Sequence, residues 1–286
     1  MIDHTLDALL TIYEHDYMPH LTPATQYYYR WLFRGLRQHH GSVLLTDLTP
    51  AWLRAWRDTL RQRLAPGTVR TYMAVLSGVL RIAVVDLEWL EVHPMDKVRK
   101  PPKAEDRVRC LDEDERARLL AACQRSRNPA LYLLVLLALT TGARKTELRR
   151  LRWSEVDITH GSLQLIRTKN GEKRRVPIVG QALTRLQALA EGAQAGWVFP
   201  SADGQRPVTM EKAWNVARKR AGLVDFRWHD LRHTAASYLA MSGASLREIA
   251  EILGHRTIKQ TMKYTHLVEP HTRGVLEKMA RQFLQG

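Results

Sequence analysis

The stretch "RWHDLRHTA" at 227–235 sets His229 and His233 four residues apart, with Asp230 between them and Arg232 three beyond His229. Histidines at i and i+4 share one face of a helix, the arrangement by which zinc proteases hold a metal in H-E-x-x-H. Here a fixed cation, Arg232, lies on the face of His229, and that suits an anion better than a metal. Further along the second half stand Arg144 in "LTTGARKTELRRLRW", Lys169 in "RTKNGEKRR", His255 after "EILG" and Tyr264 in "TMKYTHL". As a set these are the parts of metal-free phosphoryl transfer. Two arginines bind non-bridging phosphate oxygens and stabilise a pentavalent transition state. A phenol with a free pKa near 10 becomes a nucleophile when a base takes its proton, and a lysine or histidine protonates the leaving oxygen. Removing one such donor typically costs about 3 kcal/mol of barrier. Singly, each has a plainer reading: a surface arginine, a turn lysine, a core histidine, a packed tyrosine.

What is missing narrows the chemistry. The sequence shows no acidic cluster resembling a two-metal nuclease, no G-x-x-x-x-G-K-[ST] loop, and no third ligand at a recognisable spacing for His229 and His233. The expectation is therefore a site with no metal and no cofactor, whose positive charge comes from the protein.

The elements that must position these residues are mostly helices. "TPATQYYYRWLFRGLRQ" opens with Thr22 as a cap and Pro23 in the first turn, and Thr49 and Pro50 repeat that arrangement. Val69, Tyr72, Met73, Leu76, Val79, Leu80 and Ala83 recur at three and four, which marks one buried helical face. The opposite face offers Arg70, Ser77 and Arg81 for phosphate contact, with a solvated face as the plainer reading. "KVRKPPKAEDR" at 97–107 holds two prolines and five basic residues and reads as a stiff linker, with Lys97, Arg99, Lys100 and Lys103 as further candidate phosphate contacts. The expected organisation is a helical domain over 1–98, a linker over 99–107 and a second domain over 108–286.

In the second domain, acids crowd the start of "LDEDERARLLAAC", and "LYLLVLLAL" reads as a buried helix. Arg144, just after the helix-breaking Gly142, falls in the first turn of a new helix, where backbone N–H groups also favour an anion. "GSLQLIRT" and "RRVPIV" flank "KNGEK" as a β-hairpin, placing Lys169 at the turn. In "SLREIAEILGH", Ser245 and Glu248 form a capping box, Leu246, Ile249, Ile252 and Leu253 face inward, and Gly254 stops the helix so that His255 is presented outward. After Tyr264, the residues Leu276, Met279, Ala280 and Phe283 recur at helical spacing, suited either to a neighbouring protomer or to their own domain.

Charge agrees with an anionic partner. The 286 residues carry a net +15, and the distribution is uneven: residues 1–100 hold 12 basic against 10 acidic side chains, and the remainder 32 against 19. An excess of this size commonly signals a polyanion. With 45% hydrophobic and 26% charged residues the default is a globular protein; its longest apolar run, 131–139, is far shorter than the ~20 residues that span a bilayer. No signal peptide is visible, and Cys110 and Cys123 show no zinc or redox spacing, which fits a cytoplasmic protein.

At this point the chain resembles the tyrosine site-specific recombinases, or phage integrases. The stretches "TTGARKTELRRLRWSEVD", "RTKNGEKRRVPI", "WHDLRHTAASYLAMSGASLREIAEILGH" and "TIKQTMKYTH" run in that family's order and spacing over roughly 110–270. The resemblance implies a mainly α fold with a small β-sheet, a two-domain C-shaped clamp of a core-binding helical bundle and an α+β catalytic domain. It implies that Arg144 and Arg232 clamp the scissile phosphate, Tyr264 attacks it, His229 assists as proton acceptor, Lys169 protonates the leaving 5′ oxygen and His255 bonds the phosphate. Glu147 would support Arg144, and His233 falls to a packing or supporting role. The partners implied are double-stranded DNA sites, a homotetramer on DNA, and accessory DNA-bending or directionality proteins. The chain opens directly on the presumed core-binding helices, so no separate arm-binding domain is expected within these 286 residues, with an upstream truncation left open.

Rival readings are a type IB topoisomerase, which shares the chemistry, a zinc hydrolase built on His229 and His233, and a non-catalytic DNA-binding protein. The compact helical first part and the four ordered motifs favour the recombinase.

Overall fold

The computed structural model describes residues 4–103, 107–166, 173–192 and 195–284. Its chain divides into two compact units, Met1–Glu105 and Asp106–Gly286.

The first unit is built from α1 (Leu6–Ile12), α2 (Pro23–His40), α3 (Pro50–Arg61) and α4 (Pro66–Val85). The expected caps form: the Thr22 hydroxyl accepts from the Thr25 N–H at 3.3 Å and the Thr49 hydroxyl from the Trp52 N–H at 3.2 Å, each followed by proline at the first turn. All seven apolar residues singled out on α4 lie on its inner side, six fully buried and Tyr72 partly. They pack with Leu9, Phe33, Leu53 and Trp56 into one core. By length and composition α4 could cross a membrane, but its apolar face is the centre of this core and its ends carry Arg70 and Arg81.

The second unit contains α5 (Glu113–Gln124), α6 (Ala130–Thr141) and α7 (Lys145–Arg149), then β1 (Val156–Asp157), β2 (Ser162–Ile166) and β3 (Lys173–Pro177). After these come α8 (Gly180–Ala190), α9 (Glu211–Arg220), α10 (Asp230–Met241), α11 (Leu246–Leu253) and α12 (Thr265–Phe283). The strands form an antiparallel sheet in the order β1-β2-β3. The hairpin of β2 and β3 is as expected, whereas β1, two residues long, had no sequence signal. Residues 167–172, which hold Lys169 and all of the "KNGEK" turn but Lys173, lie outside the described residues. Leu163 pairs with Val176 and Leu165 with Arg174. Directly opposed residues share a face, so the burial of Leu163, Leu165 and Val176 turns Arg174 toward the interior as well.

Helix α10 is the centre of this unit, buried continuously from Asp230 to Ser237, and it packs along α6 and against α11 and α12. Gly142 ends α6 and Gly254 ends α11, both in the left-handed region at φ 60° and 66°. Both also allow close approach. A Cβ on Gly142 would meet the Leu253 side chain at 2.1 Å, and one on Gly254 would meet Arg174 Cδ at 2.8 Å. The two helix ends and β3 are thereby drawn together beside α10.

Candidate active site

The junction of these elements collects the predicted residues. Arg232, on the first turn of α10 and 4% exposed, donates to the Gly142 and Leu253 carbonyls, each at 2.7 Å. These are end-of-helix carbonyls that the helices themselves leave unpaired. Two of its five N–H groups are thus used and three are left. Burial, then the Arg144 and Arg174 charges, pull its pKa down to about 9, so it remains a cation at neutral pH.

Arg144 is the residue before α7, and its side chain is 40% exposed. One N–H bonds Glu147 Oε1 at 3.0 Å, and its backbone N–H donates to Glu147 Oε2 at 2.8 Å. Arg144 thus stands just ahead of α7 rather than in its first turn as expected, and Glu147 occupies its backbone N–H. The guanidinium is what remains for a ligand.

Glu147 is buried, with three arginine contacts on two oxygens. Arg174 grips it bidentately, Nη1 to Oε1 at 3.1 Å and Nη2 to Oε2 at 2.9 Å, and its Nε donates to the Ile252 carbonyl at 3.2 Å. Burial alone would raise the Glu147 pKa; the Arg174 bonds and charge, followed by Arg144, overrule it and hold the carboxyl below its usual value. Arg174 was not among the predicted residues. It ties Arg144, through Glu147, to the end of α11 that leads to His255. A signal was available, since Val176 must face inward in "KRRVP" and Arg174, two residues before it, shares that face. An inward arginine demands a buried acid.

His255 departs from its expected outward presentation. It is half-buried, its Nδ1 lies 2.7 Å from the Thr261 hydroxyl, and burial, then Arg232 and Lys263, push its pKa down to about 3. His229 immediately precedes α10 at the surface, its pKa lowered by partial desolvation and then by Arg232. Asp230 is turned inward, 5% exposed. It accepts from the Arg227 N–H at 2.7 Å and from Arg107 at 3.1 Å, fixing the turn that carries His229.

Tyr264 is 1% exposed, enclosed with Ala236, Ala240, Ile249 and Leu253, and the Lys263 ammonium lies 5.3 Å from its ring centroid. Its hydroxyl lies 2.6 Å from Nδ1 of His233. Of the packing or supporting role expected for His233, this contact fits the supporting one. Burial, then Lys263 and His229, lower the His233 pKa to about 4, and burial raises that of the phenol.

Four fixed cations, Arg144, Arg174, Arg232 and Lys263, and three histidines thus surround one carboxylate and a neutral phenol. Such a surplus of desolvated positive charge binds an anion. Among the described residues no three His, Cys, Asp or Glu side chains converge as a metal would need.

Of the candidate DNA contacts, Arg70 donates to the Pro101 carbonyl and Arg57 to the Arg99 carbonyl at 2.8 Å, pinning the backbone of the basic stretch. Lys97, Arg99, Lys100 and Lys103 are exposed, Ser77 is half-buried, and Arg81 is exposed 3.8 Å from Asp96. On α2 the exposed residues Tyr27, Arg30, Trp31 and Arg34 share a face at helical spacing, which sequence reading passed over. Leu276, Met279 and Phe283 on α12 are exposed and Ala280 half-buried, so this stripe does not pack into the core of its own unit.

Fold and site together define a cationic centre with a buried tyrosine, in a mixed unit that follows a helical one. The phage integrase family model matches residues 109–271, and the chain belongs to that family. It is 33% identical over 232 residues to the shufflon-specific DNA recombinase of Escherichia coli, covering 78% of this chain and 59% of that protein. It is 31% identical over 235 residues to the integrase of Salmonella phage P22, covering 76% and 57%. The chain therefore spans less than two thirds of the length of these relatives. Among solved structures, a lambda integrase tetramer bound to a Holliday junction superposes with a TM-score of 0.77 at 22% identity, over 92% of this chain and 78% of that one. The fold, mainly helical with a small sheet, is that of a tyrosine recombinase.

Proposed function

We propose that this chain is a site-specific DNA recombinase that cuts and rejoins DNA through a 3′-phosphotyrosyl intermediate. The observation that carries this reading is the buried Tyr264 phenol beside Arg232, itself next to Arg144 and His255, in a member of the phage integrase family. Arg144 and the unused N–H groups of Arg232 bind the non-bridging oxygens of the scissile phosphate, with His255 as a further donor. The Tyr264 oxygen attacks phosphorus, the bond to the 5′ oxygen breaks, and Lys169 supplies the proton that oxygen takes up. The phosphotyrosyl bond stores the energy of the broken phosphodiester, so rejoining by a second 5′ hydroxyl needs no ATP or other cofactor. The arginines supply the cationic charge.

The helical domain over 1–98 and the linker over 99–107 contact the duplex in this reading, through the basic stretch and the Tyr27–Arg30–Trp31–Arg34 face. The catalytic domain over 108–286 does the chemistry. Exchange between two sites requires four active centres, hence a homotetramer on DNA, and the apolar stripe of α12 offers a docking surface to a neighbouring protomer. Integration or excision of a mobile element in the cytoplasm is the setting that fits, with accessory DNA-bending or directionality proteins as additional partners.

Incubation with two duplexes carrying the DNA that flanks this gene, beside a plain supercoiled plasmid, tests the reading. Recombinant duplexes are expected; relaxation of the plasmid without strand exchange would contradict it.

A further inference from the structure

The reaction leaves one buried group at the reacting atom without a task. Family resemblance gives the Tyr264 proton to His229, but His229 stands at the surface, with its ring edge-on to His233 at 5.1 Å between centroids. His233 contacts both His229 and the phenol. It is 8% exposed, and its Nδ1 is the hydrogen-bond partner of the Tyr264 hydroxyl among the described residues, at 2.6 Å.

We infer that His233 is the catalytic base for Tyr264: its Nδ1 accepts the phenolic hydrogen bond at rest and takes the proton as the oxygen closes on phosphorus. The inference rests on the recombinase reading and assigns a step within it. In that step the O–H bond of Tyr264 and the P–O5′ bond break, and the tyrosyl O–P bond forms. The phenolic proton passes to Nδ1, giving an imidazolium, while the 5′ oxygen receives its proton from Lys169. On rejoining, the imidazolium returns its proton to the departing tyrosyl oxygen.

Electrostatics make the transfer conditional on DNA. Without it, burial, then the charges of Lys263 and His229, keep the imidazole neutral and able to accept, and burial keeps the phenol protonated. A phosphate docked among the arginines places negative charge opposite those cations. The imidazolium then becomes easier to form as the attack proceeds, so proton transfer is held back until a substrate is in place. His229, at the mouth, is left to meet the phosphate rather than the phenol.

Two measurements test this. In DNA-free protein labelled with ¹⁵N in the histidine rings, NMR should show His233 with Nδ1 unprotonated and Nε2 carrying the hydrogen; a protonated Nδ1 would overturn the inference. In single-turnover cleavage of a nicked suicide duplex carrying the flanking DNA, His233→Asn should slow covalent capture about 100-fold or more, the usual worth of a general base. Asparagine places an amide oxygen near Nδ1 that accepts the phenol's hydrogen bond but not its proton, so DNA affinity and melting temperature should stay near wild type. Added imidazole should restore part of the rate in His233→Ala. Capture by His233→Asn within about threefold of wild type would sink the base assignment. Absence of capture by the wild-type protein would instead sink the recombinase reading. Should His233→Asn fail to fold, the NMR result decides alone.

Discussion

Among the described residues, the helical unit buries one polar side chain, His93, and the second unit buries nine, including Glu147, Asp230, Arg232 and His233. The first unit is held by an apolar face repeated at three and four and by caps worth about 1 kcal/mol each. The second places charge where water cannot reach it, which costs stability unless every charge is paired. That cost falls on one place, the junction of α6, β3, α10 and α11. Buried ionisable groups gathered at one point signal a site built for chemistry rather than for stability.

The three arginines around Glu147 differ in how much they have left to give. Arg174 is committed through all three of its guanidinium nitrogens to Glu147 and the Ile252 carbonyl. Arg232 and Arg144 each keep at least one guanidinium nitrogen outside these bonds. Arg174 is therefore a positioning residue, and the other two are available to a ligand.

The largest effect on stability should follow from breaking that commitment. Arg174→Ala leaves Glu147 buried with Arg144 alone and is expected to destabilise the protein by about 3–5 kcal/mol in urea denaturation. The double change with Glu147→Ala should recover part of the loss, and strictly additive effects would contradict the pairing.

Arg232→Ala should slow single-turnover cleavage about 10²–10³-fold, the usual consequence of removing one preorganised donor. A rate within about threefold of wild type would remove Arg232 from the phosphate site.

A third difference between the units lies in acid. His233 and His255 have folded pKa values of about 4 and about 3, below the unfolded value near 6.5. The unfolded chain therefore binds more protons, and their contribution is present above about pH 6.5 and lost as pH falls toward 4 and 3. Glu147, with its pKa also lowered, adds a loss at still lower pH. The melting temperature should fall between pH 7 and 4, and fall less in His255→Asn; an equal fall would dissociate that histidine from the effect.

Thr49→Ala, in the helical unit, should cost about 1 kcal/mol in urea denaturation and leave the cleavage rate of bound complexes unchanged. A change in cleavage rate would mean that the two units do not divide stability and chemistry as described.

What was legible in the sequence follows the same division. Helix caps, the α4 face, the β-hairpin and the stop at Gly254 are local patterns, so they read directly. The H-x-x-R spacing read directly too, because three residues on a helix fix a shared face. The Glu147–Arg174 pair spans 27 residues and the His233–Tyr264 pair 31, and only tertiary packing, of α7 against β3 and of α10 against the segment ahead of α12, brings their members together. His255 was expected outside because the helix stop was visible and Thr261, which turns it inward, was not. The share of the apolar stripe on α12 left uncovered was likewise beyond reach, since amphipathic spacing states that a face will be buried but not against what.

The central claim is that the Tyr264 oxygen forms the covalent bond to DNA. Wild-type protein and Tyr264→Phe, each incubated with a nicked suicide duplex bearing the flanking DNA and digested for peptide mass spectrometry, test it most directly. A nucleotide-bearing peptide with the modification on Tyr264 is expected from the wild type and is expected to be absent from Tyr264→Phe. An adduct on any other residue, or one that persists in Tyr264→Phe, would contradict it.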